Sequence, residues 1–453
     1  MKITLFGAGS AQFGYGTLGD IFQSGVLKGA EVCLMDINGE TLDAVRRTAV
    51  DFVESKNLDF SLTATTDRRE ALGGADFVII SIEVGDRFEL WDMDWKVPLQ
   101  YGIAQVYGEN GGPGGIFHAL RITPPILEIC DDIAEICPDA VVFNYSNPMT
   151  AITTAVLRRY PGMKFVGMCH EIASLKRYLP TILGTPMENL RTRAAGLNHI
   201  SVLLEARYAG TGADAYPDIL AKAPAFFETE PGFSDAWEYA RRTGVVPETE
   251  GATERWKIDR EGSSRPWSDR TLFKAILDTY RLLPITVDSH LGEYIAWARD
   301  VSDHQGILDF YAFYRHALSK KVRSGITLDL RERVVPVMEG VVTDSGYEEA
   351  AVNVLNDGAV PALPDDIAVE VPGIIDGRGV TAVRFETYPK GFGALLRNYA
   401  GVYDLTAEAV LTGSRDLVLQ AVLACPMVDK YHGMREMVDC VINAQGKWLS
   451  YLK

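Results

Sequence analysis

The stretch KITLFGAGS, residues 2–10, decides the fold of this chain. An apolar run, ITLF (3–6), leads directly into Gly7-Ala8-Gly9-Ser10, the pattern of a buried strand that turns tightly into a helix. Gly7 permits the turn, and Gly9 lets the backbone approach a pyrophosphate at the helix N-terminus. Gln12 or Phe13 stands where a third small residue is usual, with Gly14 just after. Asp36 closes the next apolar run, EVCLMD (31–36), where an acid receives the ribose hydroxyls of NAD and disfavours NADP. Ser81 ends a further run, ADFVIIS (75–81). Gly7, Gly9, Ser10, Asp36 and Ser81 are therefore the candidate cofactor contacts. A tight strand–helix turn without a ligand is the plainer reading of the same glycines.

Outward from this turn the pattern repeats. AVVFNYS (140–146) and KFVGM (164–168) are again continuous apolar runs, as strands covered on both faces require. Helix-like segments at 18–24, 41–54, 116–136 and 148–160 lie between them. Strands alternating with helices predict an α/β fold, with a Rossmann-like doubly wound parallel sheet over residues 1–170. Beyond Glu171 the pattern changes to an α+β substrate and oligomerisation domain, residues 171–453. There, 190–208 reads as strands, 226–269 as irregular or helical, and 272–283 and 305–320 as helices. Residues 350–371 read as two strands about a Gly/Pro/Asp loop, and 405–423 and 431–451 as helices.

With 453 residues, 47% apolar and 23% charged, the chain has the balance of a globular protein large enough for two domains. Its net charge of −17 argues against nucleic acid, which demands a basic face. The N-terminus enters a strand directly, and no apolar run reaches the length of a membrane span. Six scattered cysteines suit free thiols in a reducing compartment, so the expected location is cytoplasmic.

Four further motifs carry chemistry. GENGGPGGIFHALR (108–121) packs glycines ahead of a helix and offers Glu109, His118 and Arg121 to a cleft. NYSNPM (144–149) ends a parallel strand at its carboxyl side, where such sheets bind ligands; Asn147 is a substrate contact or a helix cap. CHE (169–171) and GLNH (196–199) supply a thiolate and an imidazole able to hold a borderline divalent cation, or else a buried thiol and a hydrogen-bonded histidine. DSHLGEY (288–294) offers Asp288 or His290 as a general base, or Asp288 as a helix cap with Glu293 exposed.

In this order, GAGS, GPGGIFHALR, NYSNPM, CHE, GLNH, DSHLGEY and NVLNDGAVPALPDDIAVEVPGIID (353–376) resemble glycoside hydrolase family 4 over nearly the whole chain. The resemblance implies a glycosidase using NAD and a divalent metal, most readily Mn²⁺. Such an enzyme oxidises sugar carbon 3 transiently, removes the carbon 2 proton, expels the aglycone, adds water and returns the hydride. It implies Cys169 and His199 as metal ligands, Asp288 as base, and Asn147 and His170 as substrate contacts. Glu109 falls where many members carry a leaving-group Asp. The CHE triplet is similar to that of α-galacturonidase-like members, which implies an unphosphorylated acidic glycoside. Arg87, Arg121 or Arg265 would pair its charge.

A sulfoquinovoside, or a neutral α-glucoside or α-galactoside, is the alternative within the family. A 2-hydroxy-acid dehydrogenase is the alternative outside it. The family also implies a homodimer or homotetramer.

Overall fold

The computed structural model describes residues 1–247, 249–250, 255–258, 262–320, 325–328 and 332–453. Six parallel strands form the first half: β1 (Lys2–Phe6), β2 (Glu31–Met35), β3 (Ser61–Thr65), β4 (Phe77–Ile80), β5 (Val141–Asn144) and β6 (Lys164–Gly167). Their order is β3-β2-β1-β4-β5-β6, so the chain reverses direction across the sheet next to β1.

Alternate side chains of these strands enter two cores. Ile3, Leu5, Val32, Leu34, Ile79 and Phe143 pack on one face. Phe6, Cys33, Met35, Val78, Ile80 and Val142 pack on the other. Burial on both faces explains why these strands read as unbroken apolar runs. β3 escaped that reading because it is a polar edge strand, SLTAT, with no buried residue.

After residue 170 the chain adds β7 (Leu190–Leu197) and β8 (Ile200–Tyr208), a small separate pair β9 (Thr249–Glu250) and β10 (Arg255–Trp256), β11 (Leu283–Pro284), β12 (Tyr347–Leu355), β13 (Ala368–Asp376) and β14 (Gly379–Ala382). β12 pairs antiparallel with β6, and the sheet continues through β13, β7 and β8 to β11. The boundary expected at residue 170 therefore cuts the chain without cutting the sheet. Part of the segment expected to be irregular or helical, 226–269, forms the Phe233–Thr243 helix; residues 248, 251–254 and 259–261 lie outside the described residues.

The expected helix at 405–423 is two helices, Lys390–Thr412 and Arg415–Ala424. Gly413 at φ +68° turns the chain between them, a conformation that costs glycine least. The Arg87–Gln100 helix was not legible in the sequence, because its buried face, Leu90, Trp91, Asp94 and Pro98, is interrupted by a carboxylate and a proline.

Candidate active site

The β1 turn is built as a cradle. Gly7, at φ +81°, has the Ser81 carbonyl so close that a Cβ would sit 2.0 Å from its oxygen. Both Gly7 and Ala8 donate to the Met35 carbonyl, tying the turn to the end of β2. The Gly9 N–H donates to Asp36 Oδ2 at 2.8 Å, and Asn38 N donates to Oδ1 at 2.9 Å. A carboxylate has about four lone-pair positions, so Asp36 keeps acceptor capacity for hydroxyls. Gly14 performs the third glycine's task two positions late: a Cβ there would lie 2.5 Å from the Ala8 carbonyl oxygen. Exposed Ser10 opens the helix, its carbonyl accepting from Gly14 N at 2.7 Å. Gly7, Gly9, Ser10, Asp36 and Ser81 thus meet at one strand–helix junction, with the form of a pyrophosphate cradle.

At the ends of the neighbouring strands, ligand atoms of Glu171, His199 and His290 all lie within 4.8 Å of one another. His199 occupies the β7–β8 turn at φ +65°, and its Nδ1 is buried with no hydrogen-bond partner. Burial pushes its imidazole well below the ordinary range, and His290 and His170 push the same way. A neutral imidazole with an unclaimed nitrogen is what a divalent cation takes. Cys169, expected as a ligand, is outside this three-residue group but adjoins it. Burial, followed by the charges of Glu370 and Glu171, pushes its thiol well up, against the pull of the Glu171 backbone and the Asn198 side chain. Glu171 and His290 belong to the CHE and DSHLGEY motifs, yet nothing in their spacing marks them as ligands.

Asn147 was read as a possible helix cap. The cap of the Met149–Arg159 helix is instead Pro148, with no side-chain cap bond. Asn147 Oδ1 is consequently buried and unpartnered, free to accept from a hydroxyl. His170 keeps a largely exposed side chain, with Nδ1 3.5 Å from Glu332 Oε2 and its ring beside Tyr145.

The glycine-rich loop places Glu109 within a polar pocket lined also by Glu83, Arg87, Trp91, Asp94, Gly108, His118 and Arg121. Arg87 binds Glu109 and, at 3.1 Å, Glu83. Burial pushes the Glu83 carboxyl up, but the hydrogen bond and charge of His118 and the charge of Arg87 outweigh it and hold it at about 2. Behind the loop, Glu293 accepts the N–H groups of Glu109 at 2.5 Å and of Asn110 at 3.0 Å. Glu293 is thus fully buried, not on an exposed face.

The three arginines expected to meet an anionic sugar are already paired. Arg87 holds Glu83 and Glu109. Arg121 is 4% exposed and grips Asp94 at 2.8 Å and Gln445 Oε1 at 2.5 Å. Arg265 forks on to Asp303 at 2.9 and 2.8 Å. Each guanidinium faces a carboxylate that already balances its charge.

Asp288, expected as the base, has both carboxylate oxygens engaged by donors of the chain. Its Oδ2 accepts from Thr271 Oγ1, Leu272 N and Asp303 N at 3.0, 3.0 and 2.9 Å, and its Oδ1 from Phe273 N at 3.0 Å. It therefore satisfies the N-terminal amides of the Thr271–Tyr280 helix, with no exposed surface of its own. The reading of Asp288 as a cap was right in kind, but the helix it serves is a different one.

Residues 2–185 match the family described as Family 4 glycosyl hydrolase, and residues 194–428 match the Family 4 glycosyl hydrolase C-terminal domain. The chain belongs to glycosyl hydrolase family 4. It is a glycosidase, as the resemblance of its motifs implied. It is 60% identical over 452 residues to an alpha-glucosidase of Erwinia rhapontici, covering 100% of this chain and 99% of the relative. It is 26% identical over 473 residues, 98% of each chain, to an alpha-galacturonidase of Bacillus subtilis (strain 168). Its fold is that of a 6-phospho-alpha-glucosidase from gut microorganisms solved in complex with NAD and Mn²⁺, with a TM-score of 0.75 at 19% identity, covering 99% of this chain and 98% of the other. Among the described residues, no helix is long and apolar enough to cross a membrane.

Proposed function

We propose that this family 4 glycosidase is an α-glucosidase for unphosphorylated, uncharged glucosides, working with NAD and a divalent cation, most readily Mn²⁺. The observation that carries the sugar is the pairing of Arg87, Arg121 and Arg265 with carboxylates, which leaves none of the three to balance a uronate or a sulfonate. The 60% identity to an alpha-glucosidase supports the same sugar. The expectation of a galacturonide rested on the CHE triplet alone, and the more similar relative outweighs it.

In this reading Gly7, Gly9 and Ser10 receive the dinucleotide's phosphates, Asp36 its ribose hydroxyls, and Ser81 lines the turn. Cys169 and His199 hold the cation, with Glu171 and His290 beside them to complete the set. When bound, the two groups would supply hydride uptake and return at sugar carbon 3 and Lewis acidity at the sugar oxygens. The chain's own residues position the sugar and its leaving group. Asn147 Oδ1 accepts a sugar hydroxyl, and His170 stands at the open rim. Glu109 faces the leaving oxygen, kept in place by Arg87 and by the grip of Glu293 on its backbone. We infer that residues 1–170 form the cofactor half, which also brings Glu109, Asn147, Cys169 and His170 to the site, and that 171–453 form the half that completes it with Glu171, His199 and His290. The six free cysteines suit a cytoplasmic enzyme, in which we infer a homodimer or homotetramer.

A panel of α-glucoside, α-galactoside, α-galacturonide, sulfoquinovoside and 6-phospho-α-glucoside, with NAD and Mn²⁺ under reducing conditions, tests the proposal. Turnover is expected on the neutral glucoside. Preference for a charged sugar would overturn it.

A further inference from the structure

A row of polar residues crosses the centre of the sheet just behind the proposed cation site. Asn353 on β12 pairs with Gly167 on β6 and with Glu370 on β13, and Glu370 pairs with Gly196 on β7. Two residues after Gly167 comes Cys169, and three after Gly196 comes His199. The row is flanked by glycines because nothing larger fits. A Cβ at Gly167 would lie 2.7 Å from Met149 Cγ, and one at Gly196 would lie 2.4 Å from the Ile200 carbonyl oxygen.

Glu370 and Asn353 are 2% and 0% exposed. A carboxylate and an amide in the interior of a sheet cost stability relative to apolar residues unless every bond is made, so their placement calls for a use. Three donors converge on Glu370: Asn198 Nδ2 at 2.7 Å, Ser201 Oγ at 2.7 Å and Asn353 Nδ2 at 3.4 Å. The Asn198 side chain also reaches the Cys169 sulfur and favours its thiolate.

An amide has a donor end and an acceptor end, whereas an ionised carboxylate only accepts. Facing Glu370, Asn198 can present only its NH₂. The two hydrogens of that group diverge, so one is left for a second acceptor. With the amide flipped, its oxygen would face the Cys169 sulfur and compete with it instead of supporting it.

We propose that Glu370 is a positioning residue for the cation site: it fixes the orientation of the Asn198 amide, so that a donor supports the Cys169 sulfur beside His199. This rests on the reading that Cys169 and His199 hold the cation. Glu370 touches neither sugar nor cofactor; it acts through Asn198.

The test is Mn²⁺ binding to the full chain, read from the electron paramagnetic resonance of free Mn²⁺, with NAD affinity measured in parallel. Glu370→Gln keeps the shape but can itself donate to Asn198, so the amide is no longer held one way round. Mn²⁺ affinity is expected to fall about 10–100-fold, the usual effect of losing a group that orients a ligand, with NAD affinity unchanged. Asn198→Ala removes the donor directly and is expected to cause the same loss, which covers the case in which Glu370→Gln does not fold. Ser201→Ala removes a bond to the same carboxylate without touching the amide, and is expected to stay within about threefold of wild type. In a Cys169→Ser background, Glu370→Gln should add less than about threefold.

Wild-type Mn²⁺ affinity in folded Glu370→Gln or Asn198→Ala would overturn the inference, as would an equal loss in Ser201→Ala. Failure of the wild-type chain to bind Mn²⁺, or full binding by Cys169→Ser, would instead overturn the cation reading itself.

Discussion

Glu109 Oε2 lies 3.7 Å from His290 Nε2, and His290 faces His199 with ring centroids 4.6 Å apart. Glu109 comes from the glycine-rich loop, His290 from the short Asp288–Leu291 helix, and His199 from the turn between β7 and β8. Three distant segments therefore form one line of polar groups, from the proposed leaving-group carboxylate to the proposed cation site. The rings of Tyr107 and Phe310 pack against His290.

This line gives Glu109 a test. Glu109→Gln keeps its size but removes proton transfer to a leaving oxygen. For an alkyl α-glucoside, kcat is expected to fall about 10²–10⁴-fold. For a 4-nitrophenyl α-glucoside, whose leaving group departs without a proton, the loss should be far smaller. Equal losses on the two substrates would remove Glu109 from that role.

Gly14 packs against the cofactor cradle alone. Gly14→Ala places a Cβ 2.5 Å from the Ala8 carbonyl oxygen and must push the helix away from the turn. Overpacking of this kind costs about 1–3 kcal/mol of stability, and the displaced turn is expected to weaken NAD binding. Mn²⁺ binding should not change. Isothermal titration with each ligand reads both, and unchanged NAD affinity would show that Gly14 does not shape the cradle.

Asp288 makes a prediction about pH. Burial pushes its carboxyl up, against the pull of three backbone N–H groups, to about 7. In the unfolded chain it titrates near its ordinary value of about 3.9. Between these values the folded state binds the extra proton, so this contribution to stability is present in full below about 4 and is lost as pH rises towards 7. Asp288→Asn carries no such titration. The melting temperature of wild type minus that of Asp288→Asn should therefore fall from pH 4.5 to pH 7.5, and a difference independent of pH would contradict the shift. The same variant should leave exchange of the carbon 2 proton largely intact, because Asp288 faces a helix end and not the sugar.

The cofactor half was legible because parallel strands covered on both faces must be apolar throughout, as in Phe77–Ile80 and Val141–Asn144. The third small residue of the turn was not, because Gly14 is displaced by two positions and only the approach to Ala8 reveals its work. Cys169, His199 and Asn147 could be singled out because each stands at a strand end. Glu293 and Glu370 could not be, since their partners are assembled by the sheet and loops from remote parts of the chain. The arginines show the same limit from the other side. A sequence displays cations, but Asp94, Asp303 and Glu109 decide whether their charge is available.

The central claim is that NAD is recycled within a net hydrolysis. Its most direct measurement is turnover of an α-glucoside in D₂O, with NAD and Mn²⁺ present. Glucose release and absorbance at 340 nm are followed together, and the product is examined by NMR. The account predicts glucose carrying deuterium at carbon 2, in large excess over the NAD supplied and with no accumulation of NADH. NADH rising in step with product, or glucose released without deuterium at carbon 2, would contradict it.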